Sequence, residues 1–297
     1  MTENYTDKSK TVSKIKRYAN VTTAVSGFAA RLAGEKYLGL KIDRKNHAKV
    51  LRDALGSLKG PLMKVAQILS TIPDAIPAEY REELSELQTD APSMGWLFVK
   101  RRMSSELGSD WMEKFKEFSK VSSFAASLGQ VHKALSFKDE FLACKLQYPD
   151  MQSVIEADLS QLKLAFSVYQ SYDSAISTKS IHTELQERLY EELDYKRELA
   201  NLKIYQIILK DQKFVNVPKV YENLSSKQLL TMSWLEGEKL TEWLKKEPSL
   251  KERNKIALNM FRAWYIPFYY FGIIHGDPHL GNYSINNKND INLLDFG

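Results

Sequence analysis

The chain has 297 residues, of which 43% are hydrophobic and 27% charged, and its formal net charge is +5. This composition is that of an ordinary globular protein with room for one large or two smaller domains. A single cysteine, Cys144, excludes an internal disulfide and a cysteine-based zinc site, and it favours a reducing, cytoplasmic compartment. The mild charge allows attraction to phosphates or an anionic membrane but does not predict nucleic-acid binding. No run of about 20 uncharged apolar residues is present, so no transmembrane segment is predicted in residues 1–297.

The first part of the chain reads as a polar tail followed by helices. Residues 1–12 are rich in Lys, Ser and Thr and are predicted to be disordered. A basic amphipathic helix is predicted from Lys14 onward, and it can either lie on an anionic membrane or pack on its own domain. Further helices are predicted over 46–58, 61–70 and 78–88.

The helix that begins at Pro61 carries an isolated polar pair. Its apolar stripe includes Leu62, Val65 and Leu69, whereas Lys64 and Gln67 lie together on the other side, one turn apart. From periodicity alone, this pair is predicted to be solvated.

After two further predicted helices, 97–107 and 111–118, the residue pattern changes from helical to strand-like. A segment rich in small residues, 124–132, precedes a predicted strand from Phe141 to Tyr148. On this strand Lys145 faces away from Leu142 and Cys144, because alternate side chains point to opposite faces. A strand lysine is usually solvated, but this order is also the one in which a kinase-like fold presents its phosphate-binding lysine.

Helices are then predicted over 150–169 and 179–210. In the second, Glu192 falls on the apolar stripe between Leu185 and Leu199, whereas Glu198 points away from that stripe. A buried carboxylate needs a partner, and Lys145 would supply it, as in the Lys–Glu pair of kinases. The alternative is that Glu192 meets water where the stripe ends.

Two strands, 215–221 and 228–233, precede a connection that begins at Trp234 and leads to helices over 241–246 and 250–271. In a two-lobed kinase this connection joins the lobes, and its backbone bonds the adenine. The sequence alone identifies it only as a loop. The residues assigned to the adenine are Ser233, Trp234 and Leu235.

The C-terminal motifs indicate phosphoryl transfer on a metal-bound nucleotide. The segment 275–282 contains Asp277 and, five residues later, Asn282, and the chain closes with Asp295-Phe296-Gly297. In this chemistry one Asp positions or deprotonates the acceptor, while an Asn and a second Asp hold Mg²⁺ on the phosphates. Either fragment alone could be a turn or a chance tripeptide, but their order and separation favour a site.

These elements predict an α+β, protein-kinase-like fold of two lobes with an N-terminal helical extension. The predicted parts are a tail (1–12), the helical extension (13–118), the first lobe with inserted helices (119–235) and the start of the helical second lobe (236–297). Because the chain stops directly after Asp-Phe-Gly, we expect a second lobe truncated at this point.

The motifs together resemble the UbiB-like atypical kinases, or aarF-domain kinases, over about 41–297. The segment Lys64-Val65-Ala66-Gln67 is similar to the family's Lys-x-Gly-Gln motif, and 192–195 to its Glu-x-Asp motif, with Glu198 and Asn201 behind it. Two departures are Ala66 in place of Gly and Phe124 in place of a further Ala. The residues matching the family's alanine-rich nucleotide loop are Ala125, Ala126, Ser127, Gly129 and Gln130.

The resemblance implies ATP and Mg²⁺ as cofactors, with catalytic roles for Asp277, Lys145, Glu192, Lys64 and Gln67 and metal ligation by Asn282 and Asp295. It also implies that the N-terminal helices cover the cleft, so that Lys64 and Gln67 face the nucleotide and a peptide substrate is excluded. The expected activity is slow ATP hydrolysis or phosphorylation of a small or lipid-like molecule in ubiquinone biosynthesis. Expected partners are an isoprenoid or quinone-like lipid or quinone-biosynthesis enzymes, at the surface of the inner membrane.

Two other functions stay open. Small-molecule phosphotransferases of the aminoglycoside or choline type share the pattern around Asp277 and Asn282, but they do not account for the Lys64 helix or the alanine-rich loop. A non-catalytic, nucleotide-sensing scaffold for biosynthetic enzymes is the second alternative. The sequence indicates neither the phosphate acceptor nor the oligomeric state.

Overall fold

The computed structural model describes residues 93–126, 128–170, 178–276 and 280–297, and four isolated positions before them; within 161–170 only one side chain is included. The helices predicted before residue 93, with Lys64 and Gln67, lie outside these residues. The chain forms two compact units, each built from several segments. The first, here called the sheet unit, comprises Ser93–Phe124, Gly129–Gln147 and Glu191–Gly297, and the second comprises Met1–Pro92, Ala125–Leu128 and Tyr148–Tyr190.

The sheet unit begins with a helix and an antiparallel sheet in the order β1-β3-β4-β6, to which β2 also belongs. The predicted helix over 97–107 is confirmed and the one over 111–118 is wrong, because only one 3₁₀ turn forms before β1. There the rings of Trp111, Phe115 and Phe118 pack edge to face, which buries more aromatic surface than a short exposed helix would. The elements are α1 Trp96–Leu107, β1 Glu117–Phe118, β2 Phe124–Ala126, β3 Gly129–Leu135, β4 Phe141–Gln147 and β6 Leu229–Ser233.

Strand β4 has the two faces that its alternation predicts. Leu142, Cys144 and Leu146 are fully buried in an apolar cluster with Val99 and Met103 of α1. Ala143 belongs to a different cluster on the other face. The strand therefore separates a sealed core from the face that carries the predicted site.

A second sheet, in the order β5-β9-β8-β7, packs with three helices around the cluster that includes Ala143. Its strand β5 is shorter than predicted. The capping box of Ser249 and Glu252 starts the long helix α6, and Gly272, with a φ of 66°, ends it in the left-handed conformation that glycine tolerates best. The elements are α4 Tyr195–Leu209, β5 Val215–Asn216, β7 Glu238–Lys239, α5 Leu240–Lys245, α6 Leu250–Phe271, β8 Tyr283–Ile285 and β9 Ile291–Leu293.

The second unit contributes helix α2, Met151–Gln170, and helix α3, Thr178–Glu191. The His182 ring bonds the carbonyl of Leu159 at 3.0 Å between these helices. The single helix predicted over 179–210 is wrong, because the chain leaves the helical conformation at 192–194 and restarts at Tyr195. Asp194 is the N-cap of the new helix, and its carboxylate accepts a hydrogen bond from the backbone N–H of Lys196.

The fold is thus a mixed helix and sheet structure, as the predicted α+β class requires. Among the helices that the structure describes, none combines the length and apolarity needed to cross a membrane.

Candidate active site

Lys145 forms a two-pronged ion pair with Glu198. Its Nζ lies 2.7 Å from Oε1 and 2.9 Å from Oε2 of the carboxylate, and only 12% of the lysine side chain and 5% of the glutamate side chain are exposed. The same Nζ lies 5.2 Å from the centroid of the Tyr195 ring. The predicted Lys–Glu pair therefore exists, but its acid is not the predicted one.

The prediction that Glu192 pairs with Lys145 is wrong in this structure, because the helical phase used for it does not continue through Asp194. Leu185 and Leu189 are buried as expected, but the helix then breaks. Helix α4 has its own stripe, in which Glu198 occupies a buried position. The members of that stripe are Tyr195, Glu198, Leu202, Tyr205 and Leu209. The N-cap signal of Asp194 was the feature of the sequence that could have identified the new phase.

Asp295 lies beside this ion pair, with its Oδ1 3.7 Å from the Nζ of Lys145. Its backbone is held by two side chains that sequence reasoning did not single out for this role. The His275 Nε2 lies 2.8 Å from the carbonyl of Asp295, and Asn201 Nδ2 donates to the carbonyl of Phe296 at 2.9 Å. Helix α4 therefore positions both Glu198 and the Asp-Phe-Gly segment, since Asn201 lies one turn after Glu198.

Burial and neighbouring charges act in opposite directions on the pair. Burial disfavours the charge of Lys145, but the carboxylates of Asp295 and Glu198 outweigh it, so that the pKa of the ammonium lies well above its ordinary value. Burial raises the pKa of the Glu198 carboxyl to about 7; Lys145 opposes that rise, whereas Asp295 and Glu192 add to it. Burial thus disfavours both charges of the bridge, and each charge stabilises the other.

Asn282 and Asp295 are brought close along the backbone, because the N–H of Leu294 donates to the carbonyl of Asn282 at 3.0 Å. A carboxylate and an amide oxygen are ligands that suit Mg²⁺, so the donor set fits this ion. In the parts of the chain that the structure covers, no three His, Cys, Asp or Glu side chains form a metal-binding group. An Mg²⁺ ion here would therefore also need phosphate oxygens, water or residues outside those parts, where Asp277 lies.

The predicted nucleotide loop is described in part. Ala125 and Ala126 are half-buried on β2, and Ser127 lies outside the described residues. A Cβ on Gly129 would lie 2.2 Å from the carbonyl oxygen of Leu146, so this glycine is required by the close approach of β3 to β4. The buried side chain of Gln130 contacts the backbone of Met94 and the ring of His132, which assigns that side chain to the core.

The predicted adenine segment follows β6 and is anchored at both ends. The backbone N–H groups of Ser233 and Trp234 donate to the carbonyls of Lys219 and Phe141, so neither donor is available to a base. At the far end the Asn292 side chain donates to the carbonyl of Glu236 at 3.1 Å. The adenine contact thus stays a prediction.

Comparison with models of protein families shows which family this chain belongs to. Residues 86–297 match the model of the ABC1 atypical kinase-like domain. The chain belongs to this family. The α+β structure is therefore that of a kinase-like domain, and the resemblance to the UbiB-like atypical kinases is confirmed, since the relatives include proteins named COQ8 and ACTIVITY OF BC1 COMPLEX KINASE.

Three named proteins illustrate the similarity. The chloroplastic ACTIVITY OF BC1 COMPLEX KINASE 7 of Arabidopsis thaliana is 32% identical over 86% of this chain and 37% of its own length. The mitochondrial atypical kinase COQ8 of Saccharomyces cerevisiae is 30% identical over 83% of this chain and 49% of its own length. The solved structure of Rv3197 with erythromycin, from Mycobacterium tuberculosis, is similar with a TM-score of 0.61 at 31% identity, over 82% of this chain and 61% of that one. The chain thus spans half or less of the two curated relatives.

Proposed function

We propose that this protein binds Mg²⁺-ATP and acts as an atypical kinase or ATPase on a small or lipid-like molecule, in support of isoprenoid-quinone biosynthesis. The observation that carries the proposal is the buried bridge between Lys145 and Glu198, with Asp295 3.7 Å from the same Nζ. A cation fixed in this way is suited to bind phosphate oxygens. The membership in a family that includes COQ8 favours this chemistry over the aminoglycoside or choline type.

Each residue has a defined task in this proposal. Lys145 binds phosphate oxygens, and Glu198 holds the ammonium in position. Asn282 and Asp295 would hold Mg²⁺, which neutralises charge on the transferred phosphoryl group when it is bound. His275 and Asn201 fix the backbone that carries Asp295.

Asp277 would orient the acceptor hydroxyl or a water molecule, and Lys64 and Gln67 would cover the cleft and exclude peptides. These three residues lie outside the described part of the chain, so their roles rest on the motifs alone. A quinone-like lipid or a biosynthetic enzyme as partner, and a position at a membrane surface, rest on the family resemblance and on the mitochondrial relative COQ8.

The proposal is tested with purified full-length protein. We expect Mg²⁺-dependent binding of ATP and slow release of inorganic phosphate, with turnover reduced at least about 100-fold by Asp295→Asn, because the substitution removes a metal ligand. The matched control is Asp211→Asn, an exposed aspartate after α4 that should leave turnover unchanged. Turnover that persists in Asp295→Asn would refute the kinase assignment.

A second experiment addresses the biological role. A deletion strain should contain less isoprenoid quinone, the wild-type gene should restore it, and the Asp295→Asn gene should not. Full rescue by Asp295→Asn would favour the nucleotide-sensing scaffold. If quinone levels do not change on deletion, the proposed role in quinone biosynthesis is wrong.

A further inference from the structure

Phe124 and Trp234 form an aromatic stack between two functional segments of the sheet unit. Their ring centroids lie 5.6 Å apart with an interplanar angle of 20°. Phe124 opens β2, at the entrance of the small-residue loop, and Trp234 is the first residue after β6, in the connection to the second sheet. The stack therefore links β2 to the segment that connects β6 with the second sheet.

The strand register places this stack at one end of the face that carries Lys145. Lys145 is paired with Leu230 and Ala143 with Met232, and the N–H of Trp234 donates to the carbonyl of Phe141. Residues two apart on a strand share a face and advance by about 7 Å, so Trp234 lies roughly 13 Å along the sheet from Lys145. The small side chain of Ala143 lies between the two ends. A nucleotide with its phosphates at Lys145 and its base along this face extends toward Trp234.

Trp234 is the fixed half of the stack. The Nζ of Lys133 lies 4.7 Å from its ring centroid and 2.7 Å from the carboxylate of Glu236 in the same connection. The indole Nε1 is buried and finds no acceptor among the residues that the structure describes.

Phe124 is the exposed half, with 48% of its surface accessible, and its ring stacks on that of Trp234. It also stands where the similar family motif has a further Ala. A half-exposed ring that leaves such a stack loses a stacking energy of only about 0.5–1.5 kcal/mol, so its rotation away from Trp234 has a moderate cost in free energy.

We propose that Phe124 and Trp234 form an aromatic latch over the base end of the nucleotide site, and that Phe124 limits the rate at which nucleotide leaves. This inference rests on the proposed nucleotide site. The latch closes by stacking of Phe124 on Trp234, and it opens when the Phe124 side chain rotates outward. The phosphate contacts at Lys145 are unaffected by its state, so the latch acts on exchange and not on the chemical step.

The test is stopped-flow dissociation of N-methylanthraniloyl-ADP with Mg²⁺ from the full-length protein, chased with unlabelled ATP. Phe124→Ala should raise the dissociation rate about fivefold, because the stacking energy is lost. Phe124→Tyr keeps the stack and should retain the wild-type rate. The matched control is Phe137→Ala, which removes an exposed aromatic ring from the turn between β3 and β4.

Thermal unfolding verifies that the variants are folded, and Phe124→Leu, which keeps apolar bulk without the ring, replaces the alanine variant if that one unfolds. An unchanged dissociation rate in folded Phe124→Ala or Phe124→Leu protein would overturn the latch while leaving the proposed function intact. An equal rise in Phe137→Ala would also overturn it, since the effect would then be general. Failure of the wild-type protein to bind the labelled nucleotide would overturn the proposed function and the latch together.

Discussion

The two faces of strand β4 differ in what they bury: one belongs to a sealed apolar core, and the other carries the residues of the proposed site. On one face Leu142, Cys144 and Leu146 are sealed against α1, and burial raises the pKa of the Cys144 thiol to about 12, so this cysteine is unreactive. On the other face Lys145 lies among two carboxylates and an aromatic ring. The sealed face stabilises the fold by burying apolar surface. The face of Lys145 holds charges that are costly to bury and therefore need partners.

The comparison teaches that substitutions on the two faces should have separable effects. Loss of a buried methyl group should reduce stability and leave the site intact. Loss of a charge in the cleft should remove function and change how stability depends on pH.

The largest effect is expected for Lys145→Met, which should reduce ATP turnover at least about 100-fold, because no cation then binds the phosphates. Lys138→Met, in the exposed turn before β4, is the control and should behave as the wild type. Phosphate release at saturating Mg²⁺-ATP measures both. Comparable turnover in the Lys145 variant would show that this face of β4 is not the site.

On the sealed face, Leu142→Ala should lower the free energy of unfolding by about 3 kcal/mol, because it leaves a cavity in a fully buried cluster. Nucleotide affinity per folded molecule should be unchanged. Chemical denaturation and nucleotide titration measure the two quantities on the same sample. A loss of affinity that matches the loss of stability would mean that the faces are coupled.

The charge on Glu198 should depend on its charged neighbours, of which Lys145 and Glu192 can be changed one at a time. Its carboxyl should titrate near pH 7 in the nucleotide-free protein; Lys145→Met should raise this pKa and Glu192→Gln should lower it. The folded state keeps this proton to a higher pH than the unfolded state, in which an ordinary glutamate has a pKa of about 4.3. The free energy of unfolding should therefore fall as the pH rises from about 4.3 to about 7. Carboxyl ¹³C NMR measures the titration. A midpoint near 4 would contradict the burial argument.

The smallest effect is expected for Tyr195→Phe. The Tyr195 hydroxyl is buried and has no hydrogen-bond partner among the described residues, so its removal should change the free energy of unfolding by less than about 1 kcal/mol. The ring that contacts Lys145 is retained. Denaturation of the variant measures the change, and a large destabilisation would reveal a bond that the hydroxyl makes in solution.

Periodicity and motifs predicted much of this molecule correctly. The alternation of β4 identified the face of Lys145, because alternate side chains of a strand point to opposite faces. The helix predicted over 250–271 also has these bounds in the structure. The order of Lys145, Asn282 and Asp295 along the chain was sufficient to indicate a kinase-like family, which the family comparison confirms. These features depend on residue types and short spacings, so they can be predicted from a single sequence.

The partner of Lys145 was not local, and here the sequence was misleading. Glu192 and Glu198 are six residues apart, and a helix continued through Asp194 places the wrong one on the buried stripe. Only the packing of α4 against the sheet, where it lies on β6 beside β4, decided that Glu198 meets the lysine. The packing of Gly129 and Gln130 was decided in the same way, by the approach of β3 to β4 and to Met94.

By itself, the sequence determined the kinase-like family and the strand that presents the cation, because residue types and short spacings specify both. The tertiary structure decided which carboxylate completes the ion pair and what stacks on Trp234, because those contacts join segments far apart in the chain. Burial is the physical reason: a charge or ring selects its partner only when packing removes water from around it.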